Sequence, residues 1–403
     1  MKILQLCKKF PFPLKDGESI AVTSLASSLN SLGCEITLLA MNTRKHFFEV
    51  EQLPEDFNHY QDIQTVSVDN RLHAWDAFKN LFSKDSYHIT RFVSGDFVKR
   101  LIVLLQRTEF DVVQLETLYL APYIPIIRKY SKAIIAMRAH NVEHEIWQRI
   151  TENTTFGPKK MYLEYLTQKL KRFETEQLKK YNILVAITQR DLDTYKRLGY
   201  RNASVVTPIG IDSEDYRTDF SSYRKDLSVS FIGSLDWMPN LEGLNWFLEQ
   251  VWKQAAQQFP ELTLHLAGRN TPNWMHQMGM RNVVVHGEVP SAAQFVDNHS
   301  IMVVPLLSGS GMRAKILEGM ALGKVVLTTS LGLEGIAAKN GREVMVANTP
   351  EEFLNCLRSC YRNKNMLEQM GRRARAFVAD QYDSLAIAKR LVKAYESLMV
   401  EAL

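Results

Sequence analysis

The sequence predicts an α/β protein with parallel sheets, and two observations predict it. Strand–helix–strand series begin at residues 2–6 and again at residues 229–233, and a strand–glycine loop–helix–strand segment occupies residues 301–327. The strands are short, continuous apolar runs, as expected for parallel strands that are buried on both faces. With 403 residues and 46% hydrophobic content, the chain is long enough for two or three domains with globular cores.

Composition and charge limit the class of protein. The net charge of +5 is modest and diffuse, which suits attraction to anionic nucleotides or an anionic lipid surface and does not indicate nucleic-acid binding. No segment approaches the roughly eighteen apolar residues of a membrane span, and the short apolar run after Lys2 does not predict a signal peptide. We therefore expect a cytoplasmic protein. The cysteines form no zinc-like grouping, and we expect reduced core thiols at Cys7, Cys34, Cys356 and Cys360.

The first series places a loop at a ligand-binding edge. Strands are predicted at residues 2–6 and 36–40, with a helix between them that ends at Gly33. A right-handed crossover puts the preceding loop, which contains Gly17, at the carboxyl edge of the sheet, where open α/β sheets bind ligands. An ordinary turn explains Gly17 equally well. The G-x-G-x-x-G spacing of a dinucleotide site is absent.

Residues 47–100 mix aromatic and basic side chains without a clear period. The mixture suits an acceptor-binding or membrane-facing surface, because rings and cations both suit the lipid headgroup zone. It also suits a packed helical layer, and we favour packing. Further strands are predicted at residues 111–115 and 133–137.

The predicted strand at residues 133–137 runs directly into the polar residues 138–145, which makes them a candidate site. His140 and His144 would share one face of a helix. The order H-N-V-E-H is not the H-E-x-x-H zinc motif, however, so we do not expect a metal here. We expect His144 to be a solvated residue in the first turn of a helix.

Helical and strand patterns continue to the end of the chain. A charged amphipathic helix at residues 159–182 is interpreted as a surface helix rather than a membrane-bound one, because glutamates dilute its positive charge. We predict further strands at residues 183–187, 229–233, 262–267, 283–286 and 344–347, and a last helix from residue 382 to about residue 398.

Residues 301–336 carry the clearest chemical pattern. A buried strand ends in the turn Ser-Gly-Ser-Gly at residues 308–311, and a helix follows that ends at Gly323. A glycine loop that leads into the free amides of a helix start favours anions, phosphate above all. Many α/β loops also need such glycines for turning alone.

Charged residues at this helix start strengthen the prediction of an anion site. Arg313 and Lys315 lie in the first turn, where a cation is locally unfavourable, so we infer an anionic ligand. Glu318 follows one turn later, and its carboxylate can accept hydrogen bonds from the hydroxyls of a ribose or another sugar.

These residues resemble the donor-site motif of GT-B glycosyltransferases of family 4, also called glycosyl transferases group 1. In that family a glycine loop and a helix hold a nucleotide-sugar diphosphate, and a later glutamate holds the ribose. The family usually carries two glutamates separated by seven residues. Glu318 matches the second and Ser310 stands at the first position, so the chain resembles a variant branch that lacks the first glutamate.

The resemblance implies the GT-B fold, in which two Rossmann-like domains face each other across a cleft. It divides the chain into an acceptor-side domain at residues 1–207, completed by a C-terminal helix at about residues 378–403, and a donor-binding domain at residues 208–377. It implies a retaining glycosyltransferase that moves a sugar from a nucleotide diphosphate sugar to a glycan or lipid-linked acceptor, in bacterial surface polysaccharide or glycoconjugate synthesis. Peripheral contact with the inner face of the membrane would suit such an acceptor.

The resemblance also implies roles for individual residues. His140 matches a histidine that touches the donor sugar, and it is predicted to be catalytic together with Arg313 and Lys315. The loop after residues 229–233 lacks the arginine and lysine with which many members clamp the diphosphate, so we infer that Arg313 and Lys315 replace them. Neither a metal nor a cofactor is expected. The predicted substrate-binding residues are Gly17, Gly233, Gly309, Ser310, Gly311, Met312 and Glu318.

Two other functions stay open. A nucleotide-sugar 2-epimerase uses the same kind of cleft but needs acid/base carboxylates. A non-catalytic sugar-nucleotide binding subunit is suggested by Ser310 at the position of the first glutamate. An inverted product would require a carboxylate base, for which Asp16 and Glu116 are the candidates.

Overall fold

A computed structural model describes residues 1–14, 17–71, 80, 83, 85–212, 214–309 and 311–401. Ser310 and Asp16, named above as a predicted site residue and a candidate base, lie outside these residues. The chain forms two compact units, Met1–Gly210 together with Ser384–Leu403, and Ile211–Asp383. It therefore leaves the first unit, forms the second, and returns to the first with its last helix.

The first unit is built on a seven-stranded parallel sheet with the strand order β3-β2-β1-β4-β5-β6-β7. Strands β1, β2, β4, β5 and β6 lie where the sequence predicts them. Strand β3 lies in the segment at residues 47–100, whose pattern was not readable. The bounds are β1 Lys2–Cys7, β2 Glu35–Thr43, β3 Asp62–Val68, β4 Val112–Glu116, β5 Ile134–Ala139, β6 Ile183–Ala186 and β7 Ala203–Val206.

The second unit is built on a six-stranded parallel sheet with the order β10-β9-β8-β11-β12-β13. Its strands also follow the predicted apolar runs, although β11 ends three residues earlier than predicted, at Val304. The bounds are β8 Ser228–Ile232, β9 Thr263–Ala267, β10 Val283–Gly287, β11 Ile301–Val304, β12 Val325–Thr328 and β13 Met345–Val346.

Helices follow most of the strands in both units. Those of the first part of the chain are α1 Gly17–Ser31, α2 Tyr87–Thr90, α3 Gly95–Arg107, α4 Ile124–Tyr130, α5 Glu143–Glu152, α6 Pro158–Gln177 and α7 Gln189–Arg197. Those of the second part are α8 Met238–Trp246, α9 Lys253–Gln258, α10 Asn273–His276, α11 Ala292–Asp297, α12 Ala314–Ala321, α13 Pro350–Arg362, α14 Lys364–Gln381 and α15 Ser384–Glu401. A π-helical turn, Phe247–Trp252, joins α8 to α9, and 3₁₀ turns occupy Arg44–His46, Val50–Gln52, Leu118–Tyr123 and Ser221–Arg224.

Each sheet has a hydrophobic core on both faces, because successive side chains of a strand point to opposite sides. In β1, Leu4 and Leu6 enter one core and Ile3 enters the other. The last helix, α15, contributes Leu391 and Tyr395 to that second core. None of the helices in the described part of the chain is long and apolar enough to cross a membrane.

The strand order reverses once in each sheet. In the first sheet the chain adds β2 and β3 outward from β1 and then returns to place β4 on the other side of β1. In the second sheet it adds β9 and β10 outward from β8 and then places β11 on the other side of β8. Crevices at the carboxyl ends of the strands at such switch points are the places where open α/β sheets bind ligands. The carboxyl ends of β1 and β4, and those of β8 and β11, are therefore the candidate binding positions.

Candidate functional site

The loop after β11 adopts a backbone that favours glycine. Gly309 and Gly311 have φ values of 109° and 81°, in the left-handed region that side chains with a Cβ rarely adopt. Helix α12 begins directly afterwards with Arg313 at its N-cap. A guanidinium offers no acceptor atom to the helix amides. The start of α12 therefore presents amide donors and positive charge together.

Lys315 lies at the switch point between β8 and β11. Its Nζ donates a hydrogen bond to Asn240 Oδ1 at 2.7 Å and lies 3.5 Å from the carbonyl oxygen of Ile232, the last residue of β8. It also lies 5.3 Å from the centroid of the Phe231 ring. Burial and the neighbouring Arg313 lower the pKa of Lys315 to about 7, and Glu318 opposes the shift. A second negative group beside Lys315 would stabilise its charged form.

Gly233 makes room for this lysine. A Cβ at Gly233 would lie 2.7 Å from Asn240 Nδ2 and 3.3 Å from Lys315 Nζ. Gly268, which directly follows β9, packs even more closely, because its Cβ would lie 1.9 Å from the carbonyl oxygen of Gly233. A larger residue at position 233 would therefore collide with Asn240 and Lys315, which gives a steric reason for glycine there. Direct contact of Gly233 with a substrate stays a prediction.

Arg313 lies close to the glycine loop and is only 5% exposed. A Cβ on Gly309 would lie 3.5 Å from Arg313 Nη2 and 3.6 Å from Cη2 of the exposed Trp237. The loop is attached to helix α8 by a hydrogen bond of 2.6 Å from Ser308 Oγ to Glu242 Oε2. Met312 packs against the core beneath α12.

Glu318 is held by a tyrosine that sequence reasoning missed. The Tyr216 hydroxyl donates a hydrogen bond to the Glu318 carboxylate. Burial raises the pKa of Glu318, and the Tyr216 hydrogen bond and Lys315 oppose the rise. Arg375 of α14 donates to the carbonyl oxygens of Tyr216 and Ala321, and so ties the Tyr216 segment to the end of α12. Tyr216 lies in an irregular segment with no motif, so no signal in the sequence marks it.

The first unit carries a buried polar network centred on Glu116, at the end of β4. The carboxylate accepts hydrogen bonds from Gln5 at 2.7 Å, Gln114 at 2.5 Å, Arg138 at 3.2 Å and His140 Nε2 at 2.7 Å. Burial alone would raise the pKa of Glu116, but Arg138 and the hydrogen bonds from His140 and Gln5 outweigh it and lower the pKa to about 2. Glu116 is therefore ionised at neutral pH and has no solvent exposure.

The ionised Glu116 determines the state of His140. A carboxylate can only accept, so the His140 Nε2 that lies 2.7 Å away carries a proton. The pairing also excludes Glu116 as the exposed carboxylate base of an inverting reaction. The catalytic role of His140 stays a prediction.

His144 is buried, so the expectation of a solvated residue was wrong. It is 4% exposed, and its Nδ1 lies 2.6 Å from Glu174 Oε2. Glu174 of α6 also accepts the backbone amides of Glu143 and His144, each at 3.1 Å. A carboxylate from a distant helix thus caps the start of α5, because that helix start is buried and needs acceptors.

His140 and His144 thus bind different carboxylates. Among the described residues, no group of three or more His, Cys, Asp or Glu side chains is arranged to hold a metal ion.

Gly17 is the first residue of α1, and no atom of the described residues lies within 4 Å of the position that its Cβ would take. Neither packing nor backbone conformation explains a glycine there. The predicted role in substrate binding stays a prediction.

The comparisons with known proteins bear on this fold and this loop. Residues 226–363, about a third of the chain, match the family described as glycosyl transferases group 1, and they include Gly233, Arg313, Lys315 and Glu318. A glycosyltransferase from Rickettsia africae matches the structure with a TM-score of 0.66 at 14% identity, over 99% of this chain and 98% of that one. The chain is a glycosyltransferase of the GT-B fold.

Two further solved structures and one protein sequence are also similar to this chain. The Anabaena protein Alr3699/HepE in complex with UDP matches with a TM-score of 0.69 at 16% identity, over 98% of this chain and all of that one. Sucrose-phosphate synthase from Thermosynechococcus elongatus matches with a TM-score of 0.72 at 13% identity over the full length of both chains. An uncharacterized 44.6 kDa protein in the cps region of Klebsiella pneumoniae is 21% identical over 97% of this chain and 99% of its own length.

Proposed function

We propose that this glycosyltransferase transfers a sugar, with retention of configuration, from a nucleotide diphosphate sugar to a glycan or lipid-linked acceptor in surface polysaccharide or glycoconjugate synthesis. The observation that carries the proposal is the pair Arg313 and Lys315 at the start of α12, beside a glycine loop at the β8/β11 switch point. The cps-region relative supports the polysaccharide assignment, and the UDP complex of a relative supports a nucleotide donor.

The chemistry proposed for the second unit is electrostatic. As the bond between the sugar and the diphosphate breaks, negative charge grows on the leaving phosphate oxygen. Donors and cations that are already in place stabilise this charge without reorganising. The first amides of α12, Arg313 and Lys315 fill that role, and Glu318, oriented by Tyr216, accepts hydrogen bonds from the ribose hydroxyls.

Retention requires no side-chain base, because the leaving phosphate oxygen takes the proton of the acceptor hydroxyl on the same face of the sugar. The state of Glu116 supports this proposal, since that candidate base is buried and ionised beside Arg138. Neither a metal nor a cofactor is part of the proposed mechanism.

A calorimetric screen tests the donor site. We expect one of UDP, GDP and ADP, and a matching nucleotide sugar, to bind without added metal. Arg313→Ala should weaken that binding about 10- to 100-fold, because it removes a charge-assisted contact. Lys253→Ala removes an exposed cation of α9 and serves as the matched control, with an unchanged dissociation constant.

The same protein, given its nucleotide sugar, distinguishes the alternatives by its product. A transferred sugar with retained configuration supports the proposal. An isomerised sugar would identify a 2-epimerase, and binding without turnover over a full acceptor screen would identify a binding subunit. An unchanged affinity in Arg313→Ala would refute the replacement clamp.

A further inference from the structure

Four side chains form a polar cluster at the switch point of the first sheet, and none of them belongs to the donor site. This switch-point cluster consists of Lys8, Glu18, Tyr119 and Glu143. Lys8 Nζ lies 3.3 Å from Glu18 Oε2 and 4.4 Å from the centroid of the Tyr119 ring. The Tyr119 hydroxyl in turn donates a hydrogen bond of 3.0 Å to Glu143 Oε2.

The sheet topology explains why residues so distant in sequence meet. Lys8 directly follows β1, Tyr119 lies in the 3₁₀ turn after β4, and Glu143 opens α5 after β5. Strands β1 and β4 are the pair at which the strand order reverses. The carboxyl ends of these two strands border the crevice in which this class of sheet binds a ligand.

Thr117, between β4 and the 3₁₀ turn, has a φ of 91°, which is rare for a β-branched residue. Backbone strain of this kind persists only where the surroundings hold it, and it concentrates at functional sites. It positions the turn that presents Tyr119 to Lys8 and Glu143.

Glu143 is mostly buried, and its carboxylate has few hydrogen-bond donors. It is 6% exposed, and Tyr119 supplies the only side-chain hydrogen bond that its carboxylate receives from the described residues. Its backbone amide donates to Glu174, which fixes the start of the helix that carries it. A carboxylate accepts several hydrogen bonds when ionised, and burying one with a single donor is unfavourable. A ligand hydroxyl would supply the missing donor.

We propose that the switch-point cluster is the acceptor site of this glycosyltransferase and that the Glu143 carboxylate binds the attacking hydroxyl of a sugar acceptor. The inference rests on the proposed function, since an acceptor site has meaning only in a transferase. The cluster contains two carboxylates and one ammonium group. It therefore suits a neutral sugar hydroxyl better than a phosphate or carboxylate group of the acceptor.

The proposed step balances without a further reactant. The acceptor oxygen forms a bond to the anomeric carbon of the donor sugar, and the bond from that carbon to the phosphate oxygen breaks. The proton of the acceptor hydroxyl passes to the leaving phosphate oxygen. Glu143 accepts a hydrogen bond from the hydroxyl beforehand and aims its lone pair, which is a contribution to orientation.

The site should respond to pH in a defined direction. Burial raises the pKa of Glu143 to about 7, Lys8 and the Tyr119 hydrogen bond oppose the rise, and Glu174 and Glu18 add to it. Only the ionised form offers both oxygens as acceptors. Acceptor efficiency should thus fall as the pH falls through about 7, with the donor saturating so that Lys315 does not contribute.

The experiment uses the full chain, the nucleotide sugar that binds in calorimetry, and p-nitrophenyl glycosides of glucose, galactose, mannose, rhamnose and N-acetylglucosamine as acceptor probes. We expect transfer to at least one glycoside. Glu143→Gln should lower kcat/KM for that glycoside about 10- to 100-fold, remove the acidic limb of its pH profile, and leave the donor dissociation constant within about twofold. Tyr119→Phe should lower the same efficiency less.

Glu152→Gln is the matched control, because Glu152 lies in the same helix, α5, but is exposed and accepts a hydrogen bond of 2.9 Å from Gln148. It should keep both the acceptor efficiency and the pH profile. Thermal unfolding of each variant shows that the first unit is folded, and donor binding shows that the second unit is intact.

The outcomes separate the two proposals. Equal acceptor efficiency and pH profile in Glu143→Gln and the unmodified protein would overturn the assignment of Glu143. Donor binding without transfer to any glycoside would overturn the sugar-hydroxyl site and leave the donor function standing. Absence of donor binding would remove the proposed function and this inference with it.

Discussion

Two charged side chains, Glu116 and Lys315, are held in opposite ways by their surroundings. Glu116 is completely buried, yet four hydrogen-bond donors, the Arg138 guanidinium among them, keep it ionised. Lys315 has the neutral Asn240 as its hydrogen-bond partner and the cation Arg313 nearby, so burial lowers its pKa. The hydrogen bonds and the ion pair of Glu116 are complete without a ligand. The charged form of Lys315 gains stability when an anion arrives, which is the behaviour expected of a binding residue.

Lys315 predicts the pH dependence of donor binding. In the free protein its pKa is about 7, and a diphosphate beside it would raise that pKa towards the ordinary value for lysine. The bound state therefore holds more protons than the free state, and affinity for the nucleotide sugar should weaken as the pH rises from about 7, by up to about tenfold per unit. Calorimetry in buffers of different ionisation enthalpy should show proton uptake on binding at about pH 8.

Lys315→Met is the control for this dependence, because it keeps the length of the side chain and removes the titration. The variant should bind more weakly, without proton uptake. An unmodified protein whose affinity is constant between about pH 7 and about pH 9 would contradict the account.

The effect of Lys315 on folding stability has the opposite sign. Because the pKa of Lys315 is lower in the folded chain than in the unfolded one, the unfolded chain binds more protons between these two pKa values. Its contribution to stability thus grows as the pH rises above about 7 and is lost as the pH falls through that value.

At the scale of elements, the helices α5 and α12 both begin at the carboxyl edge of a sheet, but their first amides have different surroundings. The start of α5 is occupied by the Glu174 carboxylate, which accepts two of its amides. The start of α12 follows a glycine loop and has a cation at its N-cap. The Glu174 carboxylate thus provides the acceptor at the start of α5, whereas the start of α12 is arranged for an anionic ligand.

The position of α8 depends on a glycine at its contact with the β11 loop. A Cβ at Gly243 would lie 2.2 Å from the carbonyl oxygen of Pro305, which is backbone and cannot rotate away. Gly243→Ala should therefore displace α8, which holds the glycine loop through Glu242 and Ser308. We expect a loss of about 1–3 kcal/mol in the free energy of unfolding, and weaker donor binding.

Gly95→Ala is the control for this substitution. Gly95 is also in a helix, and within the part of the chain that the structure describes no atom lies within 4 Å of its Cβ position. Its stability should therefore be unchanged or slightly higher. Denaturant unfolding measures both variants. Equal stability of Gly243→Ala and the unmodified protein would show that α8 does not depend on this contact.

At the scale of the whole molecule, the last helix completes the first unit. Helix α15 covers one face of the first sheet with Leu391 and Tyr395, and the Tyr395 hydroxyl donates to Gln114 at 2.7 Å. Gln114 also donates to Glu116, so the C-terminal helix belongs to the same polar network as His140.

The burial of Leu391 predicts how much the stability of the first unit depends on this helix. It has no solvent exposure, so Leu391→Ala leaves a cavity in the second core and should cost about 2–5 kcal/mol of unfolding free energy. Leu385→Ala, on the same helix at a residue that is 38% exposed, should cost less than about 1 kcal/mol. Thermal and denaturant unfolding compare the two. Equal losses would contradict the placement of α15 over this core.

Local patterns predicted most of the fold and part of the candidate site. Apolar runs and glycine turns depend on neighbouring residues, so the strands, the parallel α/β class and the loop with Gly309, Arg313, Lys315 and Glu318 were readable directly. The pattern failed at β3, where Asp62–Val68 is only partly buried for most of its length and so lacks a continuous apolar run.

What the sequence by itself determined is most of the strands and the charged helix start at α12. The tertiary structure alone decided which distant residues meet: Tyr216 with Glu318, Glu174 with His144, and Lys8 with Tyr119. These contacts depend on strand order and on burial from several elements at once. No periodic pattern along the chain encodes either, and so a histidine expected in solvent is buried against a carboxylate thirty residues away.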